Sequence, residues 1–532
     1  MGYKALRNKP SWKKRLLQKL FGLAVLLGLA GGATLAINEW YPSQTIEEKI
    51  VHSVKFDSSV NSGEQEMVRS YIRDRVLDIT GSIDVTATVT ASPTELSSVT
   101  DVYVPVANVY STRQKLTTNQ LVDLEVLIHD SIGSVDQGSL ITTLGLTNPV
   151  TTMGDEYVAE IGDDQVLFMP VRMLDSDVKL LEFDGSYYLD SFISGALFKE
   201  LVISGEGASV LAGIDLYDGH DADSVYKVNM SGVTALTRVM MRKLTEVGDP
   251  LHFSVGIGDF LADADLTHVS NEVSFKAECT YHNASFCSPP EFIETLKDSG
   301  VDLVELTGNH NNDVGAEYNK STIELYESLG WGVVGGGLNR EEAARPFIVD
   351  DKGSKIGFLA YNFPDAPTGG AISGPQKAGA NPYHEATVKK DIQALRDEVD
   401  FIIVNIQYWE CYSYPDGYVE FPSCDKPIGK QESVFKYVID SGADMVVGSS
   451  AHQPQTYELY KGKPVYYGLG NLYFDQTSWP GTERGIILSH YLSDGVLLQT
   501  KLSPTVYHSE LQTRLMTDDE TEYFLGRLKA AR

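Results

Sequence analysis

"VDLVELTGNHNNDVG", Val301 to Gly315, decides the fold of the chain's second half. An apolar run breaks abruptly into Gly308-Asn309-His310 and a string of Asn and Asp. A strand feeding a polar loop is the start of a strand-loop-helix unit, and the helix follows as "EYNKSTIELYESLG", with apolar residues at helical spacing up to Gly330. "GWGVVGGG" then reads as a second strand closed by a turn.

The same order recurs downstream. "KIGFLAYNF", "DFIIVNIQYWE", "ADMVVGSSAHQPQ" and "KPVYYGLGNLYFDQ" are apolar strands, with "ESVFKYVIDSG" a helix between two of them. Strands alternating with helices imply an α/β fold with parallel strands, whose functional residues gather on the loops at the strand ends. Asp259, Asn309, His310, Glu410, His452 and Asn471 fall at such places, Asp259 on the reading that "HFSVGIGD" is a strand. "TDDETEYFLGRLKAAR" closes the chain as a capped helix, with Thr517 as N-cap and Glu520 three residues on.

The preceding region mixes short strands and amphipathic helices. In "DVYVPVANVYSTRQKLTTNQLVDL", Thr117-Thr118-Asn119 should start a helix, and "VLFMPVRMLDSDVKLLEFDG" reads as two strands ending in a turn. The expected division is residues 1–44 as a basic tail and membrane segment, 45–249 as an α/β domain, and 250–532 as the strand-loop-helix domain.

Lys4, Arg7, Lys9, Lys13, Lys14, Arg15 and Lys19 precede an apolar run from Leu20 to Ile37, and no acidic residue occurs before Glu39. A run of roughly 18 residues can span a bilayer, with its basic flank on the cytoplasmic side. The expectation is a single-pass anchor with the bulk of the chain outside the cytoplasm. A signal peptide cut near Gly31-Gly32-Ala33 is the competing reading. The four cysteines suit export, and local pairing of Cys279 with Cys287 and of Cys411 with Cys424 is expected; neither spacing is the CxxC of a zinc site. A formal net charge of -30 excludes a nucleic-acid partner.

Taken singly, the polar residues say little. Asp259 could be a turn residue, Glu272 a solvated carboxylate, and His452 structural. Asn309-His310 says more, because Asn offers a neutral oxygen ligand and His a nitrogen ligand or a proton donor. Gly335 to Gly337 lack the Lys-Ser/Thr of a phosphate loop and read as a turn. Asn471 and Asp475 read as architecture.

From about Leu251 to Gln476 the chain resembles the CapA family of capsule and poly-gamma-glutamate synthesis proteins. The runs that carry the resemblance are "GDFLADADL", "SNEVSF", "FIETLKDSGVDLVELTGNHNNDVG", "ELYESLGWGVVGGG" and "SGADMVVGSSAHQPQTYELYKGKPVYYGLGNLYFDQ". The resemblance implies a calcineurin-like metallophosphatase sandwich and an N-terminal anchor. It also implies a divalent cation (Mn, Zn or Ca) held by Asp259, Glu272, Asn309, His310, His452 and Gln407, with His310 and Glu410 in catalysis. The implied work is synthesis, release or attachment of a surface polymer, alone or with its synthase complex, as a metal-dependent hydrolase or transferase. The alternative is a non-catalytic accessory protein. Two departures favour that alternative: where the family has His-Trp-Gly-x-Glu this chain has Gln407-Tyr408-Trp409-Glu410, and in the Gly-x-His-Pro-His segment Ser450 replaces a His. Residues 45–249 resemble, more faintly, a two-lobed periplasmic substrate-binding domain.

Overall fold

The computed structural model describes residues 50–532 apart from 51–52, 76–79, 94–97, 212–213, 215, 218, 280–285, 364–369, 409–426 and 477–480. The expected anchor and signal segment, Glu410, and the Cys411–Cys424 pair lie outside the described residues. Among the described residues no helix is long and apolar enough to cross a membrane.

The chain forms two compact units. One comprises residues up to Asp101 together with Phe198–Asp218. Its strand Ile83–Thr90 pairs in parallel with Val54–Phe56 and antiparallel with Leu197–Ser204. The helix Ser62–Asp74, capped by the reciprocal Asn61–Glu64 box, sends Val68 and Ile72 into a core with Ile83, Val85 and Leu201. Inside it Glu64 meets Lys199 at 2.8 Å and accepts from Thr100 Oγ1 at 2.9 Å, so both buried charges are compensated.

The other unit holds Val102–Leu197 and Gly219–Arg532. In its first part Glu125–His129 lies parallel to both Gln165–Pro170 and Thr151–Met153. The expected helix start at Thr117 is a 3-10 turn, Thr118–Asp123, with a Thr117–Gln120 capping box.

The remainder is built on two sheets. In the first, Gly332–Val334, Leu303–Glu305, Leu266–Asn271 and Val225–Ala235 run parallel, and Arg484–Ser493, Val496–Tyr507 and Thr513–Leu515 extend it antiparallel. The strand Val225–Ala235 precedes the boundary expected at 249/250, yet it is the sheet's inner strand, pairing Leu266–Asn271, Asn471–Phe474 and Arg484–Ser493. In the second sheet Ser354–Asn362, Phe401–Gln407, Met445–Ser449 and Lys463–Tyr466 are parallel, with Phe347–Asp351 and Tyr457–Tyr460 antiparallel at the edges.

Alternation along these strands makes the architecture. Leu266 and Leu303 from the first sheet share one core with Ile356, Phe358, Ile403, Met445 and Val447 from the second, so the sheets pack face to face. The opposite residues face outward under helices: Val269 and Val304 meet Ile323 and Tyr326, and Ile402, Val404 and Val446 meet Val388, Val434 and Phe435. The result is an α/β sandwich with helices on both outer faces: the strand-helix alternation implies the α/β class, and the family resemblance implies the sandwich.

Candidate functional site

Parallel pairing brings the carboxyl ends of both sheets to one edge. In the first, Thr234 lies beside Asn271 and Ser270 beside Glu305; in the second, Asn362 lies beside Gln407 and Gln407 beside Ser449. Below this edge the inward positions are apolar, and at it they turn polar: His268 and Ser270, Glu305, Asn405 and Gln407, and Ser449. These polar side chains lace the two sheets together.

Gln407 is fully buried, and its Nε2 donates to Glu272 Oε1 at 3.1 Å and to Asn309 Oδ1 at 3.3 Å. Ser449 Oγ lies 3.3 Å from Gln407 Oε1 and 2.7 Å from Glu305 Oε1. Asn405 Nδ2 donates to Glu305 Oε2 at 3.1 Å, and Thr307 Oγ1 donates to Glu305 Oε1. Gly308 lets the loop close: a Cβ there would stand 2.6 Å from Glu272 Cα.

Two buried carboxylates thus sit near each other. Burial pushes Glu305 up to about 7, against the pull of its bonds from Thr307, Ser449 and Asn405, and the Glu272 charge adds to the rise. His268 Nε2 stands 3.5 Å from Glu305 Oε2, but burial lowers that imidazole to about 3. It is neutral, and the contact is not an ion pair.

His310 and His452 flank this cluster at the ends of an aromatic stack. His310 Nδ1 bonds Asp313 at 2.7 Å, and its ring lies flat on Phe286, centroids 3.9 Å apart. The Arg238 guanidinium is 4.9 Å from the Phe286 ring and 4.7 Å from Phe474, and Phe474 packs against His452 at 4.8 Å. Asn471 Nδ2 donates to the Thr482 carbonyl, which turns its Oδ1 toward His452 Nδ1, 3.0 Å away. His452 therefore carries its hydrogen on Nδ1. Arg238 is held in turn by Asp475, with Nε to Oδ1 at 3.4 Å and Nη2 to the carbonyl at 2.8 Å. Both Arg238, at φ 47°, and Ser450, at φ 80°, hold left-handed backbone at the strand-end edge.

Of the six expected ligands, Glu272, Asn309 and Gln407 meet directly. His310 and His452 border them. Asp259 does not join. "HFSVGIGD" is not a strand but a 3-10 turn, Pro250–Phe253, followed by the short helix Gly258–Ala262. That helix accepts from Asn229 and Thr267, which pair side by side at the level where the strand Leu266–Asn271 begins, so the exposed Asp259 sits away from the carboxyl-end edge of the sheet. The run "GIGD" is too Gly-rich to hold a strand, which is why an amphipathic turn wins there. The expected Cys279–Cys287 disulfide is formed.

Glu305, Asn405, Ser449 and Arg238 escaped sequence reasoning. Asn405 and Gln407 had a readable signal, two amides at strand spacing inside "FIIVNIQ". Arg238 had none.

The described residues at the strand ends do not fit a two-cation centre. Two cations and a bridging water need a converging set of carboxylates, imidazoles and amide oxygens. Among the described residues no three His, Cys, Asp or Glu side chains converge in that way. The amide nitrogen of Gln407 instead sets hydrogen-bond donors between Glu272 Oε1 and Asn309 Oδ1, the oxygens a cation would need.

Residues 241–476 match the family model of the bacterial capsule synthesis protein PGA_cap. The chain is 28% identical over 216 residues to the capsule biosynthesis protein CapA of Bacillus anthracis, covering 40% of this chain and 49% of that one. It is 22% identical over 218 residues to the PGA biosynthesis protein CapA of Bacillus subtilis, covering 41% and 54%. The matched stretch thus spans about half the length of these relatives. A "Probable polyglutamine synthesis accessory protein" of Mycobacterium tuberculosis is 36% identical over 91 residues, 16% of this chain and 24% of that one. A calcineurin-like phosphoesterase of Bacillus subtilis overlays 58% of this chain and 98% of its own at 12% identity, with a TM-score of 0.33, too low to carry an argument. The PGA_cap match begins before Asp259 and ends at Gln476, so it takes in all the expected ligands.

Proposed function

We propose that this protein serves the synthesis, release or attachment of a capsule or poly-gamma-glutamate-type surface polymer, as an accessory component rather than a two-cation hydrolase. The PGA_cap match and the CapA relatives support the polymer. The observation that carries the accessory reading is the Gln407 amide between Glu272 and Asn309. On this reading the protein works outside the cytoplasm, held at the membrane by its N-terminal segment. The Cys279–Cys287 disulfide supports that compartment, because such bonds persist where the surroundings are oxidising.

A second reading, a hydrolase or transferase acting through His310, draws on one observation. Asp313 fixes Nδ1 of a ring whose side chain is 24% exposed, the arrangement of a proton-transfer group. Complementation separates the two. In a producing strain deleted for this chain, His310→Ala should restore surface polymer to the wild-type level if the role is accessory. A folded, secreted His310→Ala protein that restores none would establish the catalytic reading instead.

A further inference from the structure

In the first part of the larger unit, parallel pairing sets His129, the last residue of the strand Glu125–His129, beside Met153, the last of Thr151–Met153. Asp155 starts the 3-10 turn just past Met153, and Ser131 follows just past His129. The three side chains meet. His129 Nδ1 lies 2.8 Å from Ser131 Oγ, and Nε2 lies 2.8 Å from Asp155 Oδ1. The imidazole is 1% exposed and Ser131 is exposed, so the ring is screened from water while the hydroxyl can be reached.

A backbone contact fixes the tautomer. Ser131 N donates to His129 Nδ1 at 3.2 Å, and a backbone N–H can only donate, so Nδ1 is the bare nitrogen. Nε2 carries the hydrogen and donates it to Asp155. The Ser131 hydroxyl therefore faces a base; its other neighbour, Met173 Sδ at 3.3 Å, is a weak acceptor. The loop is held in place. Ile132 is buried, its N–H donates to the His129 carbonyl at 3.1 Å, and its carbonyl accepts from Gln137 Nε2 at 2.7 Å. The helix Ser134–Thr143 then begins with no side-chain cap at Gly133, which leaves its first N–H groups open to an oxyanion. A reachable hydroxyl on a bare imidazole nitrogen, with a carboxylate on the other nitrogen, is the arrangement of an activated nucleophile.

We propose that Ser131, His129 and Asp155 form a catalytic site separate from the strand-end cluster, a serine esterase acting on an uncharged carboxylic ester. The Ser131 oxygen attacks the carbonyl carbon as its proton passes to His129 Nδ1, and Asp155 stabilises the imidazolium through Nε2–H. Collapse of the adduct breaks the ester C–O bond, and the departing alcohol takes the proton from Nδ1. Water repeats the sequence on the acyl-serine, releasing the acid and restoring the hydroxyl. Asp130, with Oδ1 3.7 Å from His129 Nδ1, joins Asp155 in putting negative charge around the hydroxyl, which disfavours an anionic acyl group. The assignment does not rest on the polymer reading.

The test treats the purified protein with a fluorophosphonate probe, located by peptide mass spectrometry, and follows hydrolysis of p-nitrophenyl acetate beside the p-nitrophenyl monoester of succinate. Ser131 should be labelled, and Ser131→Ala should lose both labelling and hydrolysis. His129→Gln should slow both about a hundredfold or more, the scale of a lost general base. Asp155→Asn, at an exposed side chain, should slow both about tenfold or more and serves if His129→Gln fails to fold. No label at Ser131, rates unchanged in the folded variants, or faster hydrolysis of the succinate ester overturns the assignment.

Discussion

Gln407 Nε2 lies 3.1 Å from Glu272 Oε1 and joins the carboxyl ends of the two sheets. The bond is buried and has a charged acceptor, so it should be worth more than an ordinary amide hydrogen bond. Gln407→Leu leaves Glu272 Oε1 without that donor inside the sandwich. The variant should lose about 2–3 kcal/mol in urea unfolding. Gln407→His places an imidazole beside Glu272 and Asn309 and should increase retained zinc or manganese relative to the wild type, measured by elemental analysis after dialysis.

Glu305 makes stability depend on pH. The unfolded side chain ionises near 4.5 and the folded one near 7. Between those values the folded state holds the extra proton, so this group's contribution falls as pH rises and the loss is complete above about 7. Glu305→Gln resembles the protonated acid and removes the effect. Its melting temperature relative to wild type should therefore rise from about pH 5 to about pH 8. Groups that titrate alike in both proteins, such as Asp475 and His490, drop out of the difference.

How far this edge was readable depends on which physics wrote it. Apolar strands and amphipathic helices are set by local period, so the α/β class and the loop after Glu305 were legible, while the packing of two sheets into a sandwich came from the family resemblance. The Thr517 cap and the Cys279–Cys287 pair were legible for the same reason, since each is a short-range pattern. Asp259 misled because its neighbours looked apolar enough for a strand, while Asn229, which donates to the carbonyls of its helix, lies about thirty residues upstream. Glu305 sits at the end of an apolar strand, where nothing local marks a carboxylate as buried. Its environment comes from Asn405 and Ser449, a hundred and more residues downstream.

Arg238 ties the aromatic stack to a buried acid. Burial raises Asp475 to about 6, and Arg238 opposes that rise from its 3.4 Å contact. Arg238→Ala strands the acid and removes the cation between Phe286 and Phe474. A loss of about 3 kcal/mol or more is expected in chemical denaturation, larger at pH 8 than at pH 5, because the unpaired group resists ionisation.

The disulfide closes a loop with a sequence separation of 8, adjacent to Phe286, the ring on which His310 rests. Cys279→Ser with Cys287→Ser should cost about 2.5 kcal/mol for a loop of this length. Carbon-detected or proton NMR of the His310 ring should show its shift moving toward that of a solvated imidazole as Phe286 loosens.

The most direct measurement is the metal content of the purified segment from Thr45 onward. The protein is stripped, loaded with manganese, zinc or calcium, and dialysed beside Glu272→Ala. Because the Gln407 amide takes up the oxygens of Glu272 and Asn309, no ion should be retained that the variant fails to retain. One or more ions per wild-type chain, lost in Glu272→Ala, would contradict the account and restore a metal centre at the strand ends.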